Sequence, residues 1–65
     1  MLEESLLREQ FEELLEAERQ AVATYRDMLG KLEDAEARQK VEQLLRDKQR
    51  HVELTERLLE IMESC

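Results

Sequence analysis

Three rows of mainly apolar residues, each repeating every seven positions, run along both halves of this chain with a single glycine, Gly30, between them. Before the glycine, Phe11, Glu18 and Tyr25 form one row, Leu14, Ala21 and Met28 a second, and Leu15, Val22 and Leu29 a third. After it, Val41, Lys48, Thr55 and Met62 repeat the first row, Leu44, His51 and Leu58 the second, and Leu45, Val52 and Leu59 the third. These are positions a, d and e of a bundle heptad, a spacing that collects side chains on one face of an α-helix. Gly30 follows Met28-Leu29, the place of a left-handed residue just past a helix C-terminus. Asp34 offers an N-cap oxygen, and Glu36 sets an acid in the following first turn, where the helix dipole favours it. The pattern predicts helices over about 3–29 and 35–63, joined tightly through 30–34. The fold class is all-α, a single antiparallel helical hairpin spanning residues 1–65.

Size and face width both argue for self-association. A core built from so short a chain supplies only about 3–5 kcal/mol, so a disulfide, a metal or a partner chain is expected. Cys65 is the one cysteine, so no internal disulfide is available, and it reads as a free thiol in a reducing compartment. A two-helix seam needs only rows a and d, so three rows leave one uncovered unless a second hairpin docks on it. The expectation is a homodimer or higher homo-oligomer built as a four-helix bundle.

Charge narrows the remaining classes. The chain is 42% charged with a net charge of −7, whereas nucleic-acid binding calls for a basic surface that displaces counterions. No apolar run approaches the ~20 residues that span a bilayer, and Met1-Leu2-Glu3-Glu4 is acidic where a secretory leader is basic. The chain therefore reads as cytoplasmic, with neither nucleic acid nor membrane as a partner. Glu4/Arg8, Glu36/Lys40, Glu42/Arg46 and Glu53/Arg57 are i,i+4 pairs that support solvated helix faces. No phosphate loop, nucleophile elbow or oxyanion donor is present in the sequence, so enzymatic activity is not the leading expectation.

An antiparallel hairpin turning near residue 32 or 33 sets Leu7 against Leu58, Phe11 against Thr55, Leu14 against His51, Glu18 against Lys48, Ala21 against Leu44 and Tyr25 against Val41. The same register gathers Glu18, Lys48 and His51 into one charged layer at mid-length. Ionisable groups at core positions cost several kcal/mol unless paired, hydrogen-bonded or metal-bound. Three readings follow: a structural ion-pair layer that fixes register, a metal site using Glu18 and His51, or metal-free acid-base chemistry at Lys48.

Glu18-x-x-Ala21-x-x-x-Tyr25 on the first helix, followed by an acidic turn and Asp47-Lys48-Gln49-Arg50-His51, resembles one helix pair of the ferritin-like superfamily. Rubrerythrin and the two-helix encapsulated ferritins, which dimerise to build a di-iron centre, are the nearest members in pattern. The resemblance implies a four-helix bundle, iron as cofactor, ferroxidase-like oxidoreductase activity, Glu18 and His51 as metal ligands, and Tyr25 as a residue near the metal that can hydrogen-bond to a ligand. It also places Lys48 where the family carries the Glu of its Glu-x-x-His motif. Two copies of Glu at both positions hold four carboxylates for two divalent ions; with Lys48, two carboxylates meet two ammoniums and the layer is neutral without metal. The reading carried forward is a degenerate metal site with a structural or interaction role, with iron binding by Glu18 and His51 as the alternative.

Overall fold

The computed structural model describes residues 2–64, and their side chains from Glu3 onward. Two α-helices, α1 (Leu2–Lys31) and α2 (Ala35–Ser64), pack against each other as an antiparallel hairpin. The Cα extents are 50 × 14 × 12 Å, a rod as long as its helices and one helix pair wide. Cys65, expected as a free thiol, lies outside the described residues.

The turn is held by side chains rather than by a left-handed residue. The Ala37 N–H donates to Asp34 Oδ2 at 2.8 Å and the Arg38 N–H to the Asp34 carbonyl at 2.9 Å, so Asp34 is the N-cap of α2. At the other helix end, the Arg38 guanidinium Nη1 donates to the Leu29 carbonyl, and to the Leu32 carbonyl at 3.0 Å. Those oxygens belong to a helix terminus whose carbonyls have no intrahelical donor. Because Arg38 reaches across the turn to them, no left-handed cap is needed. This corrects the reading of Gly30: α1 continues through it to Lys31, and no described residue has a positive φ. The connection shortens to Leu32-Glu33-Asp34, and the Leu32 N–H donates to the Met28 carbonyl at 3.0 Å.

Rows a and e form the seam between the helices. Leu15, Val22, Val41 and Leu59 are its buried apolar residues, with Thr55 buried beside them. Phe11, Tyr25, Leu29, Leu45, Val52 and Met62 are half-buried along the same seam. Row d is the row left open. Leu7, Leu14 and Met28 on α1 and Leu44 and Leu58 on α2 are between 38% and 46% exposed. Helices that run antiparallel and bury the same rows present their d rows on one side of the hairpin. Leu14, His51 and Leu58 accordingly line one shallow groove together with Phe11, Glu18, Leu54 and Thr55. The opposite side is mixed, with Arg19, Arg26, Gln49, Glu53 and Glu56 lining a groove together with Val22, Ala23 and Val52, and Arg19 Nη2 lies 3.5 Å from Glu56 Oε2 across it. Among the described residues no side chain is fully enclosed, and no helix is long and apolar enough to cross a membrane.

Candidate functional site

Glu18 sits near the middle of α1 and Lys48 and His51 near the middle of α2, one turn apart on rows a and d. Lys48 and His51 are three residues apart, so their side chains project from one side of α2. The hairpin register carries Glu18 to both of them, and the structure brings all three expected residues together. Lys48 Nζ donates to Glu18 Oε1 at 3.4 Å, and His51 Nδ1 stands 3.4 Å from Glu18 Oε2.

The three side chains differ in their access to water. Glu18 is 13% exposed, Lys48 30% and His51 54%. The carboxylate is thus the buried member, and the two nitrogen bases close it off from α2. Lys48 places its four-carbon stem along the seam and its ammonium near the surface, the usual compromise for a long cationic side chain. Its contact with Oε1 is longer than the 2.7–2.9 Å typical of a charge-assisted hydrogen bond. Oε2 is enclosed and accepts no hydrogen bond among the described residues, since the His51 ring approaches within ion-pair distance without aiming a donor at it. A buried carboxylate oxygen without a donor carries a desolvation cost of roughly 1–3 kcal/mol. The layer of a single hairpin is therefore incompletely satisfied.

The donor set does not fit a di-iron centre. One chain offers one carboxylate and one imidazole, and the ammonium of Lys48 lies against that carboxylate. Among the described residues no group of three or more His, Cys, Asp or Glu side chains is arranged to hold a metal ion. Asp47 is adjacent in sequence but about 100° around the helix from Lys48, so it does not replace the missing ligand. Tyr25, expected to support the metal ligands, is half-buried on the same row as Glu18 and about 10 Å farther along α1. No hydrogen bond joins it to Glu18 among the described residues.

Two features of the surroundings escape the heptad reading. Arg38 is the first: a cation in the opening turns of α2 works against its own helix dipole, which signals that it serves the C-terminus of α1 instead. The second is Leu54 and Ile61, seven residues apart, which are 57% and 53% exposed and widen the apolar side of α2 beside row d. Their spacing was visible in the sequence, but they fall outside the three rows that recur on both helices.

No family model, curated protein or solved structure matches this chain.

Proposed function

We propose that this chain is a self-associating helical hairpin, two copies of which dock through their open apolar sides into a four-helix bundle with a charged layer at its centre. The observation that carries the reading is the exposed row d with its neighbours Leu54 and Ile61. Together Leu7, Leu14, Met28, Leu44, Leu54, Leu58 and Ile61 expose the equivalent of roughly three whole side chains, and covering them is worth about 5–9 kcal/mol per chain. Two copies gain about twice that, enough to offset an association cost of some 4–15 kcal/mol. A face of 50 × 14 Å presents about 700 Å² per copy, close to the ~800 Å² per partner of a stable interface. Monomers rarely expose contiguous apolar patches larger than a few hundred Å².

In this reading Glu18, Lys48 and His51 are a degenerate metal site with a structural role. Stacking two layers sets two carboxylates against two ammoniums, so the charge that metal ions would neutralise is already neutralised by Lys48. Such a layer favours one register over its slipped alternatives rather than adding stability.

Sedimentation equilibrium at micromolar concentration tests the assembly. A species at twice the 7.8 kDa chain mass supports it, and a folded species at 7.8 kDa refutes it. Anaerobic loading with Fe(II), followed by elemental analysis, tests the role of the layer. Stoichiometric iron that is lost in both Glu18→Ala and His51→Ala would replace this reading with ferritin-type iron binding.

A further inference from the structure

The open side is complementary to itself in one orientation more than in any other. Its described row-d members are Leu7, Leu14, Ala21 and Met28 along α1 and Ala37, Leu44, His51 and Leu58 along α2, so among the described residues His51 is the one polar member of that row. The layer to which His51 belongs lies near the midpoint of both helices. A two-fold axis in the plane of contact therefore passes close to the layer, whether it runs along the rod or across it.

The two choices pair different residues. An axis along the rod lays α1 on α2 of the second copy and seats the His51 imidazole on Leu14, a half-exposed polar ring against an aliphatic side chain. An axis across the rod turns the second copy end for end and lays each helix antiparallel on its own counterpart. With the axis at the level of His51, Leu44 meets Leu58 and His51 meets His51 of the second copy, while Leu14, level with His51 across the hairpin, meets Leu14, and Leu7 meets Ala21. Apolar faces apolar in each of these pairs except the His51 pair, where polar faces polar.

We propose that two copies associate end for end, with their His51 side chains paired on the two-fold axis, so that the second copy completes the charged layer of the first. This rests on the self-association proposed above. Each imidazole lies between its own Glu18 carboxylate, 3.4 Å from Nδ1, and the ring of the other copy. A shift of one heptad would set both rings, together with the half-buried Lys48 and Glu18, against leucines, which makes the layer the element that selects register and partner.

Cysteine cross-linking in a Cys65→Ser background tests the arrangement, because a disulfide forms only where Cα atoms come within about 4.4–6.8 Å. His51→Cys on the axis should cross-link to itself nearly completely under a mild oxidant. Leu14→Cys, level with His51, should likewise cross-link to itself, a readout that leaves His51 in place. Cross-linking of Leu14→Cys with His51→Cys, and not of His51→Cys with itself, would overturn the proposal in favour of an axis along the rod. A dimer by sedimentation that forms none of these links would overturn it as well, whereas a monomer by sedimentation would refute the underlying self-association instead.

Discussion

Gly30→Ala gives opposite results under two accounts of the turn. With Gly30 in a left-handed conformation past the helix end, an added Cβ would cost about 1–2 kcal/mol. In the structure the residue lies inside α1 with no positive φ, and a Cβ built on it meets no atom within 4 Å. The substitution then removes only the entropic penalty of glycine in a helix. A gain of about 0.5–1 kcal/mol per chain is expected, toward the lower end because the residue lies in the last turn. Urea unfolding at fixed protein concentration measures this directly. With a slope near 1 kcal/mol/M, the midpoint should rise by about 0.5–1 M, and the thermal midpoint by roughly 2–8 °C. Asn is a useful comparator, since it tolerates a left-handed conformation but is a poorer helix former than Ala. The structure ranks Ala above Asn, and a left-handed cap ranks Asn above Ala. A midpoint that falls in Gly30→Ala, with Asn the better replacement, would refute the account of the turn in which Arg38 does the capping.

The remaining expectations concern the cap, the open side and the layer. Arg38→Ala should cost about 1–2 kcal/mol by releasing the Leu29 and Leu32 carbonyls, and hydrogen exchange should accelerate in the last turn of α1; unchanged exchange there would show that the contact does not hold the helix end. Leu14→Glu should weaken self-association at least tenfold by sedimentation, whereas Leu6→Glu, at a 52% exposed site on the outer side of α1, should leave it unchanged. Equal effects of the two would locate the interface elsewhere. Lys48→Glu removes the cation beside Glu18 and should destabilise the metal-free protein by several kcal/mol while creating Fe(II) binding; unaltered stability with no metal uptake would mean that the layer is not assembled as the 3.4 Å contact indicates.

The heptad carried most of the site into view. Glu18, Lys48 and His51 break an otherwise apolar pattern, and once Asp34 fixes the start of α2, an antiparallel hairpin has little freedom in how it aligns them. The Arg19–Glu56 contact shows what that alignment omits: side chains lean toward the N-terminus of their own helix, so in an antiparallel pair long residues reach partners beyond those level with their Cα atoms. The turn was legible only in half. The N-cap at Asp34 is a local interaction between residues three apart, whereas the Arg38 cap depends on bringing the end of one helix to the start of the next.

By itself the sequence determined that two helices of nearly equal length would form, that each would carry the same three rows, and that Glu18, Lys48 and His51 would meet at mid-length. All of these follow from periodicity and from the place of the turn. Which row would stay open is not contained in the period, because a, d and e share it; row a, which carries Glu18, Lys48 and Thr55, goes into the seam while the more apolar row d stays out. Only the tertiary structure decided it: two helices in contact bury about two rows, the pair settles on a and e, and the Arg19–Glu56 contact lies across the side opposite row d. The tertiary contact of Arg38 likewise decided the conformation of Gly30, since a helix end whose carbonyls are bonded from outside has no need of a left-handed residue.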